Sequence, residues 1–193
     1  MYSARFEEVV VRHCSPTLVG IKPACLISLD AAEYPRLPRT VGEYTRALGE
    51  KGLRFEVLCR CRRRFLVLVF RPKLLAEHLA RPQAAQLLAD ADYPGDAPLS
   101  ALLRRLRQRL LAGGDFPHEI GLFLGYPSED VAAFQTDGGA GCRLCGYWKV
   151  YLDVEGARRQ FARFDRSREA LCSRLRAGMT LSQLFGVRET PAA

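Results

Sequence analysis

The chain has 193 residues, 48% of them hydrophobic, with 10 Phe, 7 Tyr and a single Trp; a sequence this apolar folds around a core, which excludes a disordered chain, and its length suits one domain. The net charge of +8 raises nucleic acid as a partner, but Arg outnumbers Lys 25 to 4 and recurs beside Glu and Asp as on a solvated face. No nucleic-acid motif accompanies the runs Arg60–Arg64 and Arg104–Arg109, so the balance is against that partner.

In chain order, Phe6 to His13 carries a short amphipathic pattern. Leu18 to Leu29 is apolar and broken by Gly20 and Pro23, as for a strand that follows a loop. Val41 to Lys51 reads as a helix with Gly52 as its stop. Leu53–Cys61 and Phe65–Arg71 are β-rich runs joined by three arginines, the pattern of a hairpin. Pro72 ends the second run, and Lys73–Ala80, Pro82–Ala91 and Pro98–Leu111 carry helix formers with apolar residues at helical spacing. Ile120–Leu124 and Gly146–Leu152 read as strands in a βαβ-like unit, with a short helix from Ser128-Glu129-Asp130 between them. Val154 to Ala177 suits a long helix stopped by Gly178, and Thr180–Phe185 closes the fold. Polar joints fall near Glu33–Thr40, Tyr93–Pro98, Ala112–Asp115 and Thr136–Gly141.

The class expected is α/β or α+β: a single domain over residues 1–187 with a central mixed sheet, including a hairpin near 53–71, flanked by about six helices, and a loose tail over 188–193. The longest apolar run, Phe65 to Phe70, has strand length and falls far short of the roughly 20 residues that span a bilayer, so no membrane insertion is expected. The first residues, Met-Tyr-Ser-Ala-Arg-Phe-Glu-Glu, lack the basic start, apolar middle and small-residue cleavage site of a signal peptide, which points to the cytoplasm. Seven cysteines in a chain read that way are reduced thiols or ligands rather than disulfides, and an odd number cannot pair completely within one chain. Cys25 and Cys172, in apolar settings, read as small core residues.

Three places offer chemistry. The first is Arg12-His13-Cys14-Ser15-Pro16-Thr17, followed by Gly20, Lys22 and Pro23. The thiolate is the reactive form of Cys, and cations nearby would populate it, so Cys14 is the candidate nucleophile. His118, next to Glu119, would be its base, with the carboxylate orienting the ring. The bland alternative has His13 capping a helix, Cys14 packed inside and His118 satisfying a loop carbonyl.

The second is Cys59-Arg60-Cys61 with Cys142-Arg143-Leu144-Cys145. Strand alternation puts Cys59 and Cys61 on one face, and C-x-x-C spacing suits a thiophilic metal, so four thiolates could hold zinc or an iron–sulfur cluster. Separate structural thiols are the alternative. A thioredoxin-like role for the C-x-x-C is disfavoured, because Cys145 runs into a strand-like segment and not a helix.

The third combines Gly121-Leu-Phe-Leu-Gly125-Tyr126-Pro127 with Gly146-Tyr147-Trp148-Lys149-Val150-Tyr151. Glycines allow close approach, aromatics offer stacking faces, and Lys149 can bind a carboxylate or phosphate, so a flat anionic cofactor suits the pair, while Lys22 or Lys149 would bind an anionic substrate of the thiol enzyme. Aromatics packed under a helix would leave the same pattern. Neither a dinucleotide nor a P-loop fingerprint is present.

At these same segments the sequence resembles an uncharacterised bacterial family, catalogued as a domain of unknown function and found mainly in anaerobes. The residues concerned are His13-Cys14-Ser15-Pro16-Thr17-Leu18 with Gly20, Lys22 and Pro23; Phe116 to Pro127 with Asp130-Val131; and Gly146 to Tyr151. The resemblance runs from about Phe6 to Phe185 and implies no established activity. Its anaerobic association is compatible with redox, iron or thiol chemistry. Three functional readings stand: a protein that binds or handles a metal or redox cofactor, serving a small molecule or redox partner; a thiol enzyme with Cys14 and His118; and a regulatory or scaffold protein using an Arg-rich surface.

Overall fold

The structure is a computed structural model that describes residues 4–61, 63–112 and 115–187, without the side chain of Cys61. The expected loose tail, Arg62 of the arginine run and the centre of the joint at Ala112–Asp115 lie outside the described residues. The architecture is α+β, and the chain divides into two compact units: one takes in the chain up to Pro72 together with the chain from Phe164, the other is Lys73–Arg163. Among the described residues, no helix is long and apolar enough to cross a membrane.

The first unit begins with α1 (Ala4–Leu18), which runs through the His-Cys-Ser-Pro-Thr segment and contains Pro16. Proline lacks the N–H that a helix interior needs and is tolerated here because the helix is about to end. Its carbonyl accepts from Ile21 N at 2.9 Å and Lys22 N at 3.2 Å, and Gly20 turns the chain at φ +82°. Arg71 completes the end: Nε donates to Thr17 O at 2.7 Å, Nη2 to Leu18 O, and Nη1 to Lys51 O at 2.9 Å. A guanidinium suits this position because it satisfies carbonyls left over at a helix C-terminus and opposes the helix dipole. Arg71→Leu is expected to cost about 1–3 kcal/mol, seen as a fall of roughly 3–8 °C in thermal midpoint; an unchanged midpoint would contradict this role.

Three strands follow: β1 (Ala24–Asp30), β2 (Arg54–Cys61) and β3 (Arg64–Phe70), in the order β1-β3-β2. The hairpin of β2 and β3 lies where the two β-rich runs place it, and the sheet is antiparallel throughout rather than mixed. Cys25 faces Val69, Ile27 faces Val67 and Leu29 faces Phe65 across β1 and β3, and this row packs with Phe6, Val10, Val11, Cys14 and Leu18 of α1 in one core cluster. The register of β2 shifts between Val57 and Cys59.

Helix α2 (Leu37–Leu48) starts earlier than its apolar periodicity indicates, because Pro38 fits the first turn. Leu37, Val41, Tyr44 and Leu48 form its buried stripe, and Gly52 ends the following 3-10 turn at φ +73°. Tyr44 OH donates to Glu7 Oε1 at 2.7 Å, while Glu7 Oε2 accepts from Leu181 N at 2.9 Å. This buried carboxylate thus ties α1 to α2 and to the start of α9 (Leu181–Leu184), which Thr180 and Gln183 open as a capping box.

The second unit holds α3 (Pro72–Leu79), α4 (Pro82–Asp90), α5 (Leu99–Leu111), α6 (Ile120–Phe123) and α7 (Ser128–Asp137), then β4 (Leu144–Cys145) and β5 (Lys149–Val150). The start of α8 (Val154–Arg176) also belongs to it, and the rest of that helix belongs to the first unit. Ile120–Leu124 is not a strand but a single helical turn, and Gly146–Leu152 contributes only two residues to an antiparallel pair with β4, so there is no βαβ unit. All four residues of α6 are buried, so the run shows no polar face by which its period could be told from that of a strand.

Candidate functional site

In the second unit, the Gly-aromatic segments converge. A cavity of about 330 Å³ is lined by Phe116, His118, Ile120, Gly121, Tyr126 and Asp130, and further by Val131, Phe134, Trp148 and Lys149. Two glycines make the approach close enough. A Cβ on Gly121 would lie 2.9 Å from Val131 Cγ2 and 3.1 Å from the Tyr126 ring, so a side chain there would drive α6 from α7. A Cβ on Gly146 would lie 2.2 Å from Phe161 Cε2; its absence lets the β4–β5 turn settle against α8.

The aromatic wall is built in layers. Tyr126 stacks on Trp148 with centroids 5.5 Å apart at 29°, and Trp148 meets Phe161 edge-on at 4.6 Å. Tyr147 tilts on the same Phe161 at 5.5 Å. His118 is exposed and sets its ring edge-on to Phe134 at 5.0 Å. Lys149 Nζ lies 5.6 Å from the Phe134 centroid and donates to Gly139 O at 3.4 Å. An ammonium held near an aromatic face at the edge of an apolar pocket is placed to meet an anion.

Asp130, in the first turn of α7, organises this wall. Its Oδ2 accepts from Trp148 Nε1 at 2.7 Å, and its Oδ1 from Tyr151 N at 2.8 Å and Leu152 N at 3.4 Å. The sequence gives Asp130 the appearance of an ordinary helix-start carboxylate; only the pairing of β4 with β5 brings the indole to it. Glu119 is committed elsewhere. It is buried, paired with Arg109, and its Oε1 accepts from Tyr93 OH at 3.1 Å. Burial first, and then Glu119, push the Tyr93 hydroxyl well above the ordinary phenol range. The partners found for Glu119 are therefore Arg109 and Tyr93 and not His118.

The first unit contains a different constellation. Cys14 is fully buried, and Cys25 and Lys22 nearly so. Cys25 Sγ accepts from Thr17 Oγ1 at 3.2 Å and from Lys22 Nζ at 3.6 Å, and Cys14 shares its buried core cluster. Burial, reinforced by Cys25, pushes the Cys14 thiol well above its usual value. The neighbouring Cys14 thiol, with help from Lys22 and Thr17, pulls Cys25 down to about 6 against the cost of its burial. The sequence singles out Cys14 as the ionised thiol, whereas the surroundings favour charge on Cys25.

The remaining candidates divide between the units. Gly125 turns the chain between α6 and α7 at φ +72°. Lys22 belongs to the first unit, beside Cys25, whereas Lys149 lines the pocket of the second. Cys14 and His118 likewise belong to different units. Cys59 is buried on β2, Cys145 is the last residue of β4 and Cys142 precedes that strand, both as free thiols, and the side chain of Cys61 is not among those described. Among the described residues, no three His, Cys, Asp or Glu side chains form a group that could hold a metal ion.

A groove of about 690 Å³ in the first unit runs beside Arg5, Arg12, Arg168 and Arg176, with Glu8 and Glu169 interleaved. Arg5 is paired with Glu33 at 3.0 Å and Arg168 with Asp165 at 2.8 Å, so much of its positive charge is already answered.

A family model described as "Protein of unknown function (DUF3793)" matches residues 10–185. No curated protein matches the chain, and no solved structure does.

Proposed function

We propose, for a chain that belongs to this family of proteins of unknown function, that the second unit binds a small planar molecule carrying an anionic group. The observation that carries the reading is the convergence of the Phe116–Pro127 and Gly146–Tyr151 segments on one apolar cavity with Lys149 in its lining. About 330 Å³ lies at the lower end of the range for ligand pockets, room for a compact ring system but not for a dinucleotide. The ring would lie among Phe116, Phe134 and Trp148, and the anion would meet Lys149 with His118 at the rim. A redox-active ring would fit the same description, which keeps cofactor handling within the proposal.

Two other readings find less support. A metal centre would draw on Cys59, Cys61, Cys142 and Cys145, of which the described side chains form no ligand group. A Cys14 nucleophile would begin from a thiol that burial holds protonated.

Trp148 is the chain's single tryptophan, so its emission reports on the pocket. Naphthoate and naphthamide share a ring and differ in charge. Naphthoate is expected to quench Trp148 saturably and to bind at least about tenfold tighter than naphthamide by calorimetry, the worth of one charge-assisted hydrogen bond. Lys149→Gln is expected to abolish that preference while leaving naphthamide binding in place. Equal affinity for the two probes, or no saturable change in emission, would overturn the reading.

A further inference from the structure

We propose that Cys25 is a peroxide-reactive cysteine that Cys14 resolves, making the junction of α1 and β1 a reversible thiol–disulfide site. Both cysteines belong to the first unit, whereas the aromatic pocket belongs to the second.

The geometry begins with Lys22, whose side chain is buried with its Nζ 3.6 Å from Cys25 Sγ. An ammonium held against a sulfur away from water favours the charged form of that sulfur. Thr17 Oγ1 points a second donor at the sulfur from 3.2 Å. A neutral thiol is a weak acceptor, so two donors converging on one sulfur, one of them an ammonium, favour its thiolate. Cys14 lies one helical turn before Thr17 and shares a buried core cluster with Cys25. These groups come from a short stretch of chain: Cys14 and Thr17 lie in the last turns of α1, Lys22 in the loop and Cys25 in β1. The end of α1, fastened by Arg71, therefore holds the resolving thiol and the hydroxyl against the attacking sulfur.

The chemistry needs a peroxide as oxidant. The Cys25 thiolate attacks one oxygen of hydrogen peroxide, the O–O bond breaks, and hydroxide departs, so sulfur gives up two electrons and leaves as sulfenic acid. The sulfur of Cys14 then attacks the sulfenyl sulfur. The S–O bond breaks, the proton of the Cys14 thiol goes to the departing oxygen, and water leaves as the disulfide forms. A small thiol reverses the step by exchange, taking up the bridge's oxidising equivalents.

Two features set the character of the site. Cys25 is 5% exposed and Cys14 not at all, so peroxide can reach sulfur where a bulky alkylating reagent cannot. Once bridged, Cys25 no longer carries the charge that the Lys22 and Thr17 donors favour. The oxidised form is thereby disfavoured and the bridge is readily reduced.

The test uses the fully reduced whole chain exposed to hydrogen peroxide, quenched with time and mapped by mass spectrometry of its peptides. The first bridge is expected between Cys14 and Cys25, and the Cys14→Ala protein, unfolded into dimedone after the peroxide exposure so that the buried sulfur becomes accessible, is expected to carry the dimedone adduct on Cys25. Lys22→Met should slow the reaction about tenfold or more, since it removes the cation beside the thiolate. The proposal is overturned if Cys25 stays reduced in the unmodified protein while exposed Cys145 is oxidised. It is equally overturned if the first bridge joins another pair, or if the adduct in Cys14→Ala falls on a different cysteine. Mapping of the unmodified chain decides the matter without any variant.

Discussion

Asp130→Ala is expected to dismantle the aromatic wall and to lower stability by about 3–5 kcal/mol. One carboxylate accepts from the Trp148 indole and from the backbone of Tyr151 and Leu152. Hydrogen bonds to a charged group contribute roughly 1.5–3 kcal/mol each, and Tyr151 is buried, so its N–H would be left without a partner. With Trp148 released from its partner, its stacking on Tyr126 loosens, its emission shifts to the red, and naphthoate affinity falls at least about tenfold. Asp130→Asn separates charge from shape. The amide oxygen can still serve Tyr151 and Leu152, but the amide nitrogen then faces the indole N–H, two donors in contact, so a loss of about half the size is expected. Equilibrium denaturation with fluorescence detection checks both. A change within about 0.5 kcal/mol, typical of an uninvolved surface site, would remove Asp130 from this role.

Cys25→Ser should lower stability by an amount that depends on pH. The folded Cys25 thiol ionises at about 6 against an ordinary 9.0, so between those values the folded protein holds a thiolate where the unfolded chain holds a thiol. A group whose value is depressed on folding contributes fully above its unfolded value, and the contribution is lost as pH falls through about 6. Cys14 acts in the opposite sense. Because burial holds it protonated, it erodes stability once the unfolded thiol begins to ionise, above about pH 9. The gap between the unmodified protein and Cys25→Ser, under reducing conditions, is expected to be small near about pH 5.5 and to widen by on the order of 2–4 kcal/mol toward about pH 8.5. Serine cannot supply the anion that faces Lys22. Thermal or denaturant midpoints across this range check the prediction, and a gap that does not vary with pH would contradict a Cys25 thiolate.

Much of the secondary structure is legible in the residues because local rules act strongly there. The β2–β3 hairpin follows from two β-rich runs with a short arginine link. Gly52 and Gly178 stop helices by adopting positive φ, at 73° and 89°. The long α8 follows from Ala157, Phe164 and Leu171 falling on one buried face. Where those rules weaken, the reading fails: α6 is a buried turn too short to show a period, and β5 is a pair of residues whose strand character depends on its partner Leu144–Cys145.

The candidate sites separate along the same line. Amino-acid order alone is enough to mark the Gly-aromatic segments and the Cys-Lys neighbourhood, because glycines, rings and charges carry their chemistry wherever they fold. Order alone does not tell which thiol ionises. Lys22 is three residues from Cys25 and eight from Cys14, and the outcome rests on desolvation and hydrogen bonding: burial holds the Cys14 thiol protonated, while Cys25 receives from Thr17 and Lys22. Nor does order reveal that Asp130 holds the indole, or that Glu119 turns to Arg109 and Tyr93. Those assignments depend on distances of about 3 Å between groups far apart in the chain, and only the packing of the elements creates them.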